Sequence, residues 1–243
     1  MTYCAVANLG LGYTPEIEGR KLDLEVIAQH GNNLILRDNN TREPIQHIHG
    51  RLERDGKAGK GMKPWPTFRM TFRGFEKAFP DGQVYLNKPS RNPLLWLLDT
   101  VLETVFSSGI AKQHNEAAPV MDNMTHYDDR LPNKTYVWGV NIGDDAVCFT
   151  QDFVIERGNL VNSSVDGRAI VVAWDPIYES MGVYYNDTGA PITSIDFFGN
   201  TGQSKLARAE NLKAGLFWHV WVEFFPHTDI NRTESQLEAG RNS

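Results

Sequence analysis

Two stretches of the sequence decide the fold: MTYCAVANLGLGY at residues 1–13 and VVAWDPIYESMGVYY at residues 171–185. They align without a gap at a constant offset of 171. Each has a β-rich run, a polar residue, a segment of small residues and a second β-rich run ending in tyrosine, which predicts a strand, a tight connection and a strand. The aligned pairs include Tyr3 with Trp174, Cys4 with Asp175, and Tyr13 with Tyr184.

A second pair of stretches is also alike, RMTFRGFEKAFPDGQVY at 69–85 and GLFWHVWVEFFPHTDI at 215–230, now at an offset of 146. Aromatic residues three and four positions apart share one face of a short helix. Pro80 and Pro226 are expected to end both helices at the same place. The aligned aromatic residues are Phe72, Phe75 and Phe79 with Trp218, Trp221 and Phe225.

The stretch NPLLWLLDTVLETVF, residues 92–106, predicts a connecting helix over 93–106. Asn92 suits the N-cap, Pro93 the first turn and Gly109 the position past the end. Apolar residues recur at helical spacing, at 94, 95, 98, 101, 102, 105 and 106, so the helix is expected to pack across both halves. The longest uninterrupted apolar run, PLLWLL at 93–98, is much shorter than a bilayer requires, so no membrane span is predicted.

These patterns predict a β-dominated α+β fold in which two homologous β-rich halves, each ending in a short helix, are joined by a linker helix and packed as one compact unit. The second half has strand-forming sequence before its Trp-Asp pair that the first half lacks. The first half is therefore expected to be truncated at its front, or the chain to be a fragment of something longer. The predicted segments are a first half at 1–88, a helical linker at 89–134, a second half at 135–230 and a tail at 231–243.

Composition narrows the classes of partner. The chain of 243 residues has 24 Lys and Arg against 30 Asp and Glu, a net charge of −6, which argues against nucleic-acid binding because such affinity depends on neutralising phosphates. Its two cysteines are too few for a disulfide scaffold. The first residues do not form a secretory signal, so the chain as written is expected to be soluble and cytoplasmic, with its compartment and oligomeric state left open.

Six stretches, in this order along the chain, carry a family likeness: TYCAVANLGLGY, EGRKLDL, GNNLILRDNNTREPIQHIHG, FEKAFPDGQVY, DDRLPNKTYVWGV and NLVNSSVDGRAIVVAWDP. Together they resemble the domain of unknown function family 3179 (DUF3179). The resemblance implies a bacterial protein of a family without an agreed activity, whose members are often preceded by an export signal or a membrane anchor. Members commonly carry C-x-x-C after the first strand, whereas here Ala7 follows Cys4 at that spacing, which weakens a dithiol redox interpretation.

Cys4 and Asp175 are the predicted catalytic pair. The repeat places them at equivalent strand ends, from which they can converge on one cleft as nucleophile and base or bind a cation there. The alternatives are a buried cysteine acting as a small hydrophobe and an Asp175-Pro176 turn opener.

His47 and His49 are the predicted metal ligands. If PIQHIHGRL is a strand, both imidazoles face the same side about 7 Å apart, a spacing that suits a transition metal such as copper or zinc. The alternative is an exposed strand without a metal. The predicted ligand-binding residues are Arg37, Asp38, Gln46 and Trp174, although Asp38 with Thr41 can instead cap a turn.

Three functions are compatible with these residues. The leading hypothesis is a cleft between the halves that binds a small ligand or a transition metal. The second is an interaction module without chemistry, in which the aromatic helices would carry the partner surface. The third is an enzyme with Cys4 as nucleophile and a histidine as base. Whether the protein catalyses a reaction is left open.

Overall fold

The computed structural model describes residues 1–54, 57–84 and 92–236. The predicted boundary at 88–89 and the end of the tail, 237–243, lie outside these ranges. Within them the predicted β-dominated α+β class is confirmed. In chain order the elements are β1 (Thr2–Cys4), β2 (Leu9–Tyr13), β3 (Glu16–Ile17), β4 (Arg20–Lys21), β5 (Leu24–His30), β6 (Asn33–Asp38), β7 (Pro44–Gln46), β8 (Arg51–Arg54), β9 (Lys57–Gly61), β10 (Pro64–Trp65), α1 (Phe72–Ala78), α2 (Pro93–Asn115), β11 (Tyr136–Ile142), β12 (Asp145–Phe149), α3 (Gln151–Glu156), β13 (Leu160–Val165), β14 (Arg168–Asp175), β15 (Ser180–Tyr185), β16 (Lys213–Phe217), α4 (Trp218–Phe224) and β17 (Asp229–Asn231).

The strands pair mainly in antiparallel fashion. In the first half, β5 to β9 form a five-stranded sheet in chain order. In the second half, one sheet has the order β16-β11-β12-β17 and another the order β13-β14-β15. Between β15 and β16 the described chain forms isolated bridges in place of a sheet. The five-stranded sheet therefore accounts for the greater length of the first half between the aligned stretches.

The two stretches that align at an offset of 171 form hairpins with the same register. Their last connecting residues, Asn8 and Glu179, both have left-handed backbone conformations, with φ of 56° and 51°. The two hairpins therefore have the same connection length and the same unusual dihedral at the same place. The paired residues are Thr2 with Leu11, Tyr3 with Gly10 and Cys4 with Leu9 in the first, and Ala173 with Gly182, Trp174 with Met181 and Asp175 with Ser180 in the second.

The short helices predicted at the ends of the halves are also confirmed. α1 and α4 each have seven residues. Their C-cap residues, Phe79 and Phe225, have nearly the same dihedrals, with φ of −134° and −136° and ψ of 72° and 63°. A proline follows each of them, and proline lacks the amide that would continue the helix.

Each hairpin contacts the segment that leads into the other half's helix. The Asn8 side chain donates a hydrogen bond of 2.8 Å to the carbonyl of Gly215, two residues before Phe217 at the end of β16. The Ser180 hydroxyl donates one of 2.9 Å to the carbonyl of Arg69, before α1. Arg69 and Gly215 are aligned at the offset of 146, so the two contacts are reciprocal.

α4 completes the hydrophobic core of the first half. Trp218 and Trp221 are fully buried and belong to the same cluster as Cys4 and Leu9. The aromatic residues of α4 are thus core residues and do not form the partner surface that an interaction module would need. Of the two short helices, α1 is the more exposed, with Phe72 at its start 62% exposed.

The structure corrects the prediction for the linker helix in length and in packing. α2 runs from 93 to 115, and none of its residues is buried, so it does not pack across the two halves. Its C-terminal end is attached to the fold: a ring nitrogen of His114 lies 2.6 Å from the carbonyl oxygen of Ala5, and Lys134 Nζ donates to the carbonyl of Gln113. By length and composition alone, α2 could cross a membrane.

Candidate functional site

Cys4 and Asp175 close turns of the same kind. The Asp175 carboxylate accepts hydrogen bonds of 2.8 and 3.0 Å from the backbone amides two and three residues later. The backbone amides at the same two positions after Cys4, those of Val6 and Ala7, lower the pKa of its thiol. A side chain that accepts amides of the following residues stabilises a turn locally. The structure therefore supports the turn-opening interpretation of Asp175.

The thiol of Cys4 is surrounded by backbone groups. It is 1% exposed, and its sulfur lies 3.8 Å from the carbonyl oxygen of Asn32. Burial raises its pKa, although the amides of Val6, Ala7 and Leu34 oppose the rise. A thiol that stays protonated is a weak nucleophile. No hydrogen bond joins the described side chains of Cys4 and Asp175, and their convergence as a catalytic pair stays a prediction.

The strand predicted around His47 and His49 is wrong. β7 ends one residue before His47, and residues 47–50 form a turn that leads into β8. The imidazole of His47 is fully buried near the main chain of Thr2. The imidazole of His49 lies edge-on against Phe224 and Phe225, with ring centroids 5.7 and 5.4 Å away. The two rings therefore lie in different surroundings because the turn removes the alternation on which the prediction rested.

The electrostatics of the two histidines do not favour a metal pair. Burial lowers the pKa of His47 to about 4, and burial together with the charges of Lys213 and Arg51 lowers the pKa of His49 to about 4. Cationic neighbours also disfavour a metal cation near His49. Among the residues that the structure describes, no three His, Cys, Asp or Glu side chains form a group that could hold a metal ion.

Arg37 and Asp38 have structural partners. Arg37 forms an ion pair with Glu25. Asp38 is fully buried and accepts hydrogen bonds from Arg20 and from the Thr41 hydroxyl, the latter at 2.8 Å. Burial alone would raise the pKa of Asp38, but these bonds and those from backbone amides outweigh it and hold the pKa well below its ordinary value. The turn-capping interpretation of Asp38 and Thr41 is confirmed.

Gln46 is one of several buried polar side chains in and beside β6 and β7. Both amide atoms of Gln46, both ring nitrogens of His47 and the amide nitrogen of Asn33 have no hydrogen-bond partner among the described residues. Their backbones are nevertheless tied together, since the Ile48 amide donates to the Asn33 side chain and the His47 amide donates to the carbonyl of Leu34. Buried polar atoms of this kind are uncommon in folded proteins.

Trp174 lies in a cleft of about 550 Å³ between the two halves. The indole nitrogen of Trp138, which also lines the cleft, is buried and has no hydrogen-bond partner among the described residues. Glu179 accepts a hydrogen bond of 2.5 Å from the Thr71 hydroxyl, which joins the halves across this cleft. The lining residues are Arg69, Met70 and Thr71 from the first half and Tyr136, Trp138, Gln151, Trp174 and Glu179 from the second.

Arg69 is the positively charged residue of the cleft. Its guanidinium carbon lies 4.3 Å above the ring centroid of Tyr136 and 5.9 Å from that of Trp138. Its Nη1 donates a hydrogen bond of 2.6 Å to the carbonyl of Gly215. Gly215 has φ of +70°, and a Cβ there would lie 2.2 Å from Nη1, so this backbone requires glycine. Within the described ranges, no carboxylate forms an ion pair with Arg69, which is half-buried.

A second cleft, of about 600 Å³, is also lined by Arg69. Tyr3 and Asn8 line it, and they are the residues aligned with Trp174 and Glu179 of the first cleft. Equivalent positions of the two hairpins therefore line two clefts that share Arg69. The second cleft is more apolar, because Phe68, Phe75 and Phe79 form much of its wall. Its lining residues are Met1, Tyr3, Asn8, Gly10, Pro66, Thr67, Phe68, Arg69, Met70, Phe75, Phe79 and Ala214.

Reasoning from the sequence identified Trp174 but missed Arg69, Tyr136, Trp138 and Glu179. Two of these had a usable signal. The offset that aligns Tyr3 with Trp174 also aligns Asn8 with Glu179, and the offset of 146 sets Arg69 against a glycine. An arginine aligned with a glycine is a large chemical difference between otherwise similar stretches, and such a difference can indicate a residue with a function of its own. Tyr136 and Trp138 had no such signal, because their strand has no counterpart in the first half.

Comparison with known proteins gives one result. The family model described as "Protein of unknown function (DUF3179)" matches residues 1–228 of the 243. No curated protein and no solved structure matches the chain.

Proposed function

The chain belongs to the DUF3179 family of proteins of unknown function, and we propose that it binds a small carboxylate-bearing molecule in the cleft that contains Arg69 and Trp174. The observation that carries the proposal is a half-buried guanidinium that lies in the cleft and has no ion-pair partner among the described residues. A buried or half-buried charge is normally paired, so an anionic ligand is the missing partner.

The chemistry of arginine sets the class of ligand. A guanidinium has five N–H donors in a planar fork, and one of those on Arg69 is used by Gly215. The remaining donors match the two oxygens of a carboxylate, and Tyr136 holds the guanidinium plane from one side. Arg69 can therefore orient a carboxylate and neutralise its charge.

The aromatic wall sets the rest of the ligand. Trp138 and Trp174 line the same cleft. Aromatic side chains pack against flat or ring-shaped groups, and a few polar atoms among them fix orientation. Glu179 and Gln151 add acceptors for hydroxyl or amine groups. The preferred ligand is a carboxylate attached to a ring.

We also propose that the two halves arose by duplication of one unit. Equal hairpin registers, equal helix C-caps and the reciprocal contacts of Asn8 and Ser180 support this origin. Under this proposal the cleft is the surface where the copies meet. Arg69 occupies the position that Gly215 has in the other copy. Only one of the two copies therefore carries a positive charge at this place.

Thermal unfolding with benzoate and benzamide as probes tests the proposal. Benzoate is expected to raise the melting temperature of the protein, and benzamide, which has the same ring without the charge, is expected to raise it much less. Arg69→Gln should abolish the benzoate effect, whereas the exposed Arg73→Gln on α1 should retain it. Stabilisation by ligand scales with occupancy, so millimolar concentrations reveal weak binding.

Two outcomes would contradict the proposal. One is an equal response of the Arg69→Gln and Arg73→Gln proteins to benzoate. The other is the absence of any benzoate effect on the wild-type protein at concentrations that stabilise a known weak carboxylate binder run beside it.

A further inference from the structure

α2 exposes more apolar surface than any other described element. Its nine large apolar side chains between positions 94 and 106 are each 47% to 73% exposed. A contiguous exposed apolar surface of this size indicates a binding site for another protein or for a membrane. The side chains are Leu94, Leu95, Trp96, Leu97, Leu98, Val101, Leu102, Val105 and Phe106.

The distribution of these side chains around the helix distinguishes a protein partner from a lipid bilayer. Residues 94–98 are five consecutive apolar positions, so at about 100° per residue they cover every face of the first turns. Further along, Leu98, Leu102 and Val105 continue as one stripe, while Asp99 and Glu103 lie about 90° and 130° around the helix from the centre of that stripe. A partner helix covers one stripe only. Lipid surrounds a helix on all sides, so the N-terminal turns fit a bilayer better than a second copy of the chain.

The connections of α2 exclude a simple crossing of the bilayer. His114 and Gln113 attach its C-terminal end to the fold, and Val84 leaves the fold only eight residues before Asn92. The intervening sequence YLNKPSR reaches at most about 25 Å when extended, and it carries two charges. A hydrocarbon core about 30 Å thick cannot be crossed by such a segment without a helix. Both ends of α2 must therefore lie on one side of the membrane.

The charges that flank α2 suit lipid headgroups. No Lys or Arg occurs from 92 to 111, whereas Lys88 and Arg91 precede this stretch and Lys112 follows it. Basic residues at the margins of an apolar helix bind headgroup phosphates. We propose that α2 lies obliquely in one leaflet of a lipid bilayer, with its N-terminal turns deepest, and holds the protein on the membrane surface.

Flotation of the full chain with vesicles tests this proposal. The vesicles consist of phosphatidylcholine with one quarter phosphatidylglycerol. The wild-type protein is expected to float with them. Leu98→Gln with Leu102→Gln should reduce the bound-to-free ratio by at least about 10-fold, because two leucines leave the lipid. The matched pair Thr100→Gln with Thr104→Gln, on the polar face, should change it by less than about 3-fold. All of these positions are exposed, so the fold is retained in every variant.

Three results would overturn the proposal. The first is a wild-type protein that stays at the bottom of the gradient, including the case in which it sediments as a dimer through α2. The second is equal binding of the two double variants. The third concerns topology: a membrane-impermeant maleimide enclosed inside the vesicles should label neither Ser90→Cys nor Asn115→Cys, and labelling of either one from inside would show a crossing.

Discussion

Cys4 and Asp175 occupy the same place in two equivalent hairpins: Cys4 pairs with Leu9 and Asp175 with Ser180, each at the end of a strand that precedes a four-residue connection. Cys4 is buried in the core that α4 completes, whereas Asp175 is half-buried beside the cleft residue Trp174. The equivalence of the two positions is therefore one of backbone geometry, which explains why residues so different in chemistry align. Asp175 closes its turn by accepting hydrogen bonds from two backbone amides.

Replacement of Asp175 tests this role. Asp175→Ala removes an acceptor from two backbone amides and is expected to lower the free energy of unfolding by about 1–2 kcal/mol. Urea denaturation provides the measurement. The control is Asp187→Ala, which removes an exposed ion pair with Arg168 and should cost less than about 0.5 kcal/mol. If both variants lose the same free energy of unfolding, the hydrogen bonds of Asp175 contribute no more to stability than the exposed ion pair of Asp187.

Alkylation of Cys4 tests the buried, protonated state of the thiol. Burial raises the pKa of Cys4, so iodoacetamide at pH 8 should modify it at least about 10-fold more slowly in the native protein than in urea. Ser107→Cys on exposed α2 provides an internal reference that should react at the same rate in both states. Reaction of native Cys4 as fast as this reference would restore the cysteine-enzyme hypothesis.

Three histidines should make the protein less stable in mild acid. Burial lowers the pKa of His47, His49 and His219 to about 4, below the ordinary value of 6.5. Between these values the unfolded chain binds more protons than the native protein, so stability falls as pH decreases from 6.5 toward 4. Each histidine contributes at most about 1.4 kcal/mol per pH unit.

Urea denaturation at pH 7, 6 and 5 measures this dependence. In the His47→Leu variant, the slope of the unfolding free energy against pH should decrease by up to about 1.4 kcal/mol per pH unit, the value for one proton. An unchanged slope in that variant would show that the buried imidazole is already protonated in the native protein.

Lys213 should make stability depend on pH above neutrality. Burial, aided by the charge of Arg51, lowers the pKa of its ammonium to about 7, and its Nζ donates a hydrogen bond of 3.0 Å to Asn141. The native protein therefore releases this proton well before the unfolded chain does, and stability is expected to rise from pH 7 to 9 by about 1 kcal/mol per unit. Lys213→Met should remove this rise, and Lys21→Met, at an exposed position, should leave it. A rise that persists in Lys213→Met would assign it to another group.

The parts of the fold that the sequence predicted correctly are those set by local patterns. Alternating runs around a fixed four-residue connection define the hairpins, and proline after Phe79 and Phe225 ends the short helices. The end of α2 was misplaced because Gly109 is tolerated within the helix, where it meets no neighbouring atoms, while the attachment of His114 holds the last turn. That attachment is a tertiary contact, so sequence periodicity carries no sign of it.

The candidate site was predictable only in part. Trp174 follows from the repeat, but Arg69 acquires its position from Gly215 and Tyr136, which are distant in sequence. The strand predicted around His47 and His49 was wrong because a turn and a strand both accept alternating polar and apolar residues over four positions. Pairing of β7 with β8 fixes that segment as a turn, and this pairing depends on the register of the whole five-stranded sheet.

The central claim is that Arg69 and the tryptophans of its cleft bind one carboxylate together. The most direct measurement is the two-dimensional NMR spectrum of the indole N–H groups, in which loss of a signal in Trp138→Phe and Trp174→Phe assigns the two cleft residues. Titration with benzoate should shift both of these signals with the same apparent Kd and should shift neither in Arg69→Gln. Shifts that survive unchanged in Arg69→Gln, or a titration that moves only tryptophans outside the cleft, would contradict the account.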